Sequence, residues 1–219
     1  MRCGDPPVAE PTREWFARPT EQVARDLIGC ALVVDAGSAD AVVARIVETE
    51  AYLGTSDPAS HAYRGPTPRS RVMFGPAAHL YVYFTYGMHH CANVVTEPDG
   101  VAGAVLLRAA SVDQGLEPVT TRRGDTLSPP ELLRGPGNLC RGLGLTRADN
   151  GIDLLEPHSR IHIERRPGSP PVVVSTRVGL RHAADLLLRF SWLGDPAVSR
   201  PVPGQPVEAP INGQRKGPD

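Results

Sequence analysis

Lysine is nearly absent from this 219-residue chain: of its 23 basic residues only Lys216, in the C-terminal tail, is one, and all the others are arginine. The folded core is thereby left without a lysine to act as an amine nucleophile, the group that Schiff-base chemistry ordinarily needs. Aromatic residues are scarce too, at 5%, so a local concentration of them calls for a reason. The four cysteines, Cys3, Cys30, Cys91 and Cys140, form no C-x-x-C pair and no disulfide-framework spacing, which reads as reduced thiols in a cytoplasmic protein. The start "MRCGDPPVAE" has no secretory pattern, and no apolar run reaches the length of a membrane span. No internal repeat is visible. With a formal net charge of −1, a protein that coats nucleic acid through bulk charge is not expected.

What is present suits one domain, and a chain of this length buries roughly 70% of the surface that its unfolded state exposes. Residues 1–12 and 200–219 are rich in proline, glycine and polar side chains and are expected to be flexible tails, which leaves a folded domain over residues 13–199. "PTEQVARDLIG" reads as a helix with Thr20 as its cap, Val23, Leu27 and Ile28 on one face and Gly29 as its stop. "CALVV", "AVVARIVETEAY", "LYVYF", "HCANVV", "VAGAVLLRAA", "IHIERR", "PPVVVSTRVGL" and "LRFSWLG" are strand candidates. A proline-rich link follows the strand that carries Arg108, and "PPELLRGPGNLCRGLGL" reads as short helices broken by glycine.

The strand ending in "VETEAY" carries chemistry, because a period of two puts Glu48, Glu50 and Tyr52 on one face and Val47, Thr49 and Ala51 on the other. A solvated strand face accounts for the two carboxylates as well as a catalytic site does. Residues 54–78 show no clear periodicity, and loops of that length inside a compact domain are functional or disordered. Arg64, Arg69 and Arg71 in this loop favour a function, while His61, next to Ala62 and Tyr63, fits both a turn and a site.

All five tyrosines lie between Tyr52 and Tyr86. Tyr81 and Tyr83 share one strand face, and Gly87 sets a hairpin turn with Tyr86 at its tip. Strand core explains Tyr81, but a phenol at a hairpin tip has nothing in its own sheet to pack against. Aromatic rings flanked by arginines stack on nucleobases and hold the neighbouring phosphates, each stacked base contributing roughly 1–3 kcal/mol. A GC-rich genome accounts for most of the arginine bias; the planar fork suits phosphate either way. His89 and His90 are adjacent on a strand, point to opposite faces and cannot chelate one ion, so no metal is expected.

"RIVETEAYLG", "SHAYRGPTPRSRVMF", "HLYVYFTYGMHHCANVV", "GAVLLRA" and "GPGNLC" occur here in the order and spacing of the alkyladenine (3-methyladenine, methylpurine) DNA glycosylase family. The sequence resembles that family from its first helix to about Leu145, and again, weakly, at "RVGL" and "LRFSWLGDPAVS". The resemblance implies a mixed α/β (α+β) fold: a single domain with a curved antiparallel sheet, flanking helices and a β-hairpin inserted into DNA. It implies a monofunctional enzyme that flips damaged purines, such as 3-methyladenine, 7-methylguanine and the neutral lesions hypoxanthine and ethenoadenine, out of duplex DNA and hydrolyses the N-glycosidic bond. No cofactor is implied, and the expected partner is double-stranded DNA, bound by a monomer in the cytoplasm of a bacterium.

Carried over by motif, the water-activating glutamate falls on Glu50, and Arg108 falls on the arginine that helps hold the water. Tyr52 and His61 match residues on one side of the flipped base and Tyr83 the residue stacked on the other, with Asn93 near the purine 2-position. Tyr86 matches the wedge that enters the duplex, and Met88, Arg64, Arg69 and Arg71 are expected at the DNA surface. Two departures stand out: Ala92 is smaller than the apolar residue expected beside Asn93, which bears on pocket volume, and residues 113–131 show no convincing match to the family, which bears on some DNA contacts. A non-catalytic nucleic-acid-binding module competes with this reading, since Tyr86 and the arginines alone would serve it, but a carboxylate such as Glu50 repels phosphate in a binding groove. A metal-dependent hydrolase built on His89, His90 and Glu48 or Glu50 lacks ligand spacing.

Overall fold

The computed structural model describes residues 10–85 and 87–200 and the backbone of residues 206 and 207. A short helix α1 (Arg13–Phe16), capped by Thr12, leads into α2 (Thr20–Asp26). Pro19, not Thr20, caps α2. The Thr20 hydroxyl is engaged elsewhere, 2.9 Å from the Thr96 hydroxyl and 2.8 Å from the Glu97 carboxylate, because the helix start is buried against that turn. Strands β1 (Ala31–Val34), β2 (Val42–Tyr52), β3 (Leu80–Thr85), β4 (His89–Val95) and β5 (Ala104–Gln114) follow. Next come α3 (Leu116–Arg123), α4 (Pro136–Leu143), β6 (Ile161–Glu164), β7 (Val172–Ser175), β8 (Arg189–Trp192) and the two-residue β9 (Pro206–Val207).

All strand pairings among the described residues are antiparallel, in the order β3-β4-β5-β2-β8-β7-β9, with β1 on β2 and β6 on β1. The long strand β2 explains the curl. From residue 43 to residue 52 it pairs with β5 on one edge, interrupted by bulges, but its other edge is divided, β1 pairing with residues 42–45 and β8 with residues 48–50. A bulge where Ile46 and Glu48 lose register with β5 turns the strand from one partner to the other, and bulges of this kind re-aim side chains beside functional sites.

One side of the sheet carries the core. Leu27 of α2, Leu139 and Leu143 of α4, and Leu32, Ile46, Leu80, Val94 and Leu107 of the sheet are all fully buried together. Ala92 belongs here as well: it points from β4 into this cluster, away from the face of Cys91 and Asn93, so its small size does not enlarge the pocket beside Asn93. The stretch read as a proline-rich link contains α3 instead, with Pro118 in its first turn, where a missing N–H costs nothing. Only Val119 of that helix is buried, so the sequence carries no apolar stripe to announce it.

Candidate active site

One cross-strand row builds the opposite face. Tyr81 of β3 is paired with Asn93 of β4, Asn93 with Leu106 of β5, Leu106 with Glu50 of β2, and Glu50 with Arg189 of β8. Residues two positions away on each strand join them on that side: Tyr83, Cys91, Ala104, Arg108, Tyr52 and Glu48. The result is a pocket of ≈ 250 Å³ whose floor is sheet. Its rim comes from Ala59, His61 and Met73 of the long loop, from Pro136 at the start of α4, and from residues 178–180 after β7. Drug-sized sites run to about 300–1,000 Å³, so this volume suits one base.

Beneath the wall lie two carboxylates and two guanidinium groups. Glu48 and Glu50 are both 0% exposed, which excludes a solvated strand face. Glu50 Oε1 accepts from the Val178 backbone N–H at 2.8 Å and lies 3.2 Å from Arg108 Nη1, while Oε2 accepts from the Tyr52 hydroxyl at 2.9 Å. Glu48 Oε1 receives Arg108 Nε at 3.1 Å and the Ser199 hydroxyl at 3.0 Å, with Arg189 Nε at 3.3 Å; its Oε2 accepts from Ser199 N–H at 2.7 Å. Charges buried this way must be matched, and removing one partner of such a pair costs about 3–5 kcal/mol. Despite desolvation, the Glu50 and Glu48 charges hold Arg108 above its ordinary pKa, so it stays a cation. The Tyr52 phenol is pushed up by burial and then by the Glu50 charge and hydrogen bond, so it stays a donor. Glu50 does not itself line the pocket: Tyr52, Arg108 and Val178, its three partners, do.

The aromatic cage stands above. Tyr81 and Tyr83 have ring centroids 5.5 Å apart, and His61 meets Tyr83 edge-on at 4.5 Å while its Nδ1 lies 3.0 Å from the Tyr81 hydroxyl. Desolvation and the nearby Arg69 charge lower the His61 pKa to about 4, so the ring is neutral at physiological pH. Asn93 is buried and donates from Nδ2 to the Tyr81 carbonyl at 3.0 Å.

Glu50, Arg108, Tyr52, His61, Tyr83 and Asn93 are thus gathered in one place. Met88 projects at the hairpin turn, 70% exposed. Arg64, Arg69 and Arg71 are all exposed on the long loop, and Arg69 lies against the cage, its Cζ 4.9 Å from the Tyr83 ring centroid. Tyr86 lies outside the described residues. His89 packs beside Gly137 and His90 beside Phe84, on separate sides of β4. Four participants went unread in the sequence: Arg189, Ser199, the Val178 amide, and Arg177. Arg177 is fully buried with Asp57, paired through both oxygens, and its guanidinium lies 4.6 Å from the Tyr52 centroid. An arginine set among apolar residues in "LRFSW" and another just before "VGL" were the available signals.

The family model described as Methylpurine-DNA glycosylase (MPG) matches residues 14–196 of this chain. A protein of Burkholderia lata named "Putative 3-methyladenine DNA glycosylase" is 43% identical over 208 residues, covering 92% of this chain and 99% of its own. Proteins with the same name from Rhodopseudomonas palustris and Mycobacterium tuberculosis are 46% and 49% identical, covering 88% and 72% of this chain and 89% and 80% of their own.

Proposed function

The chain belongs to the methylpurine-DNA glycosylase family, a family of DNA-repair hydrolases, and on that premise we propose that it removes alkylated purines from duplex DNA with a water activated by Glu50. The observation that carries the proposal is the buried Glu50 carboxylate, fixed in one orientation by Tyr52, Val178 and Arg108 directly beneath a base-sized pocket.

A purine alkylated at N3 or N7 is cationic and leaves without being protonated. The C1′–N9 bond breaks with its electron pair going to the base, positive charge develops on the sugar, a water oxygen bonds to C1′, and the proton of that water passes to Glu50. The carboxylate serves twice, as a negative charge near the developing cation and as general base. Oε1 is held by Val178 and Arg108, so Oε2 is the oxygen for the water. Tyr52 must release Oε2 as its ring turns onto the flipped base, which couples base binding to activation of the nucleophile. Arg108, anchored by Glu48 and Ser199, holds the geometry while this happens.

Flipping costs a few kcal/mol and least for a damaged base. Stacking between Tyr52 with His61 on one side and Tyr83 on the other offsets it, and Met88 at the hairpin turn, with Tyr86 as the wedge the sequence implies, would fill the space the base leaves. Arg64 and Arg71 are suited to the flanking phosphates. Asn93 crowds the purine 2-position against guanine. In this reading the enzyme is monofunctional, acts as a monomer in the bacterial cytoplasm, and comprises residues 13–199; among the described residues no helix is long and apolar enough to cross a membrane.

Incubating the protein with a duplex carrying a single 7-methylguanine, followed by alkali, tests the proposal. Cleavage at the lesion position is expected, and an uncut strand under single-turnover conditions would count against it.

A further inference from the structure

Each of the two tyrosines that would sandwich the base has a guanidinium on its ring, and the two differ in charge balance. Arg177 backs Tyr52 at 4.6 Å, but Asp57 neutralises it through two contacts at 2.5 and 2.9 Å, and both side chains are fully buried. Arg69 backs Tyr83 at 4.9 Å. Among the described residues no carboxylate pairs with it. Tyr83 lines the pocket and Arg69, itself exposed, does not, so the guanidinium sits against the cage from outside the pocket.

We infer that Arg69 is a specificity-determining residue whose uncompensated charge beside Tyr83 disfavours a cationic purine in the pocket relative to a neutral one. The inference rests on the pocket being the site of the flipped purine. An aromatic face attracts a cation through its quadrupole, but here a guanidinium already lies against that ring, and its repulsion of a second cation opposes the attraction. A neutral base stacks on the same ring without that repulsion. Behind Tyr52 the Asp57 carboxylate cancels the equivalent effect, so selectivity is set on the Tyr83 side. The reach of the Arg69 charge into the cage is visible in His61, which desolvation and then Arg69 hold neutral, and in Tyr81 and Cys91, where Arg69 opposes the upward push of burial.

The test uses the full chain in a Glu50→Gln background, with gel-shift titration against duplexes containing one 7-methylguanine, which is cationic, or one ethenoadenine, which is neutral. Adding Arg69→Gln is expected to raise the affinity ratio of cationic over neutral lesion on the order of tenfold. Arg69→Lys, which keeps the charge and loses the planar fork, should leave the ratio within about twofold of the parent. An unchanged ratio with Arg69→Gln, while the wild type still releases 7-methylguanine, overturns the inference and leaves the glycosylase reading intact. Equal weakening toward both duplexes, with a shallower salt dependence, identifies Arg69 as a phosphate contact and overturns it too. A Lys variant that behaves like Gln removes charge as the cause. Failure of the wild type to release either base overturns the glycosylase reading, and the inference falls with it.

Discussion

Both oxygens of Glu50 are occupied by protein donors, and only one of those donors is on a side chain that can turn away. The Val178 amide and Arg108 hold Oε1, while Oε2 depends on the Tyr52 hydroxyl. If that hydroxyl is only a placeholder for water, Tyr52→Phe keeps the stacking ring and should excise 7-methylguanine within about threefold of wild type or faster; a loss on the order of a hundredfold would make the phenol a participant in the chemistry. Asn93 offers a second discrimination. Its Nδ2 pins the Tyr81 carbonyl, so Asn93→Ala lowers total activity by loosening the hairpin. If the side chain also excludes guanine, release of guanine relative to 3-methyladenine should rise roughly tenfold, in line with about 1–3 kcal/mol for a clash or an unmade hydrogen bond. An equal fall for all bases would leave Asn93 a purely structural role. Side chains with a strand period were legible in the sequence, as Glu48, Glu50 and Tyr52 show. The Val178 amide was not, because a backbone donor has no letter of its own. Arg177 was hidden for another reason: its partner Asp57 lies 120 positions away.

Strand β2 does most of the positioning because three neighbours share it. The bulge at residues 46–48 lets β8 reach Glu48 and Glu50, and so brings Arg189 to carboxylates encoded far upstream. Neither bulge nor partner follows from a period of two, which is why the carboxylate pair was legible and its second cation was not. The hairpin of β3 and β4 was readable from aromatic strand residues around Gly87, whose φ of +67° only glycine adopts freely. Helix α3 escaped notice because one buried residue gives no stripe. Beyond β8, Ser199 straps the end of the described domain to Glu48 and Arg108. Ser199→Ala removes two hydroxyl contacts and leaves the backbone N–H hydrogen bond, so base release should slow by roughly thirtyfold, consistent with about 1 kcal/mol per hydrogen bond, while affinity for lesion DNA is unchanged. Equal loss of rate and affinity would show that the strap holds the DNA-binding surface instead.

The curled sheet puts the core on one side and leaves the other to one row of functional residues, so the fold can keep a buried ionic network without weakening its apolar packing. The composition constrains the chemistry in the same way. With Lys216 as the single lysine, no amine in residues 13–199 can form a Schiff base with the sugar, and the reaction should stop at an abasic site. Borohydride added during turnover is expected to trap no protein–DNA adduct; a trapped species would contradict attack by water. The decisive measurement is single-turnover release of 7-methylguanine from duplex DNA by Glu50→Gln, read beside the affinity of the same variant for the same duplex. The amide keeps the shape and cannot take the proton, so release should fall by on the order of a thousandfold while affinity stays within about threefold of wild type or improves. Release within about tenfold of wild type, with the variant folded and bound, would contradict the account.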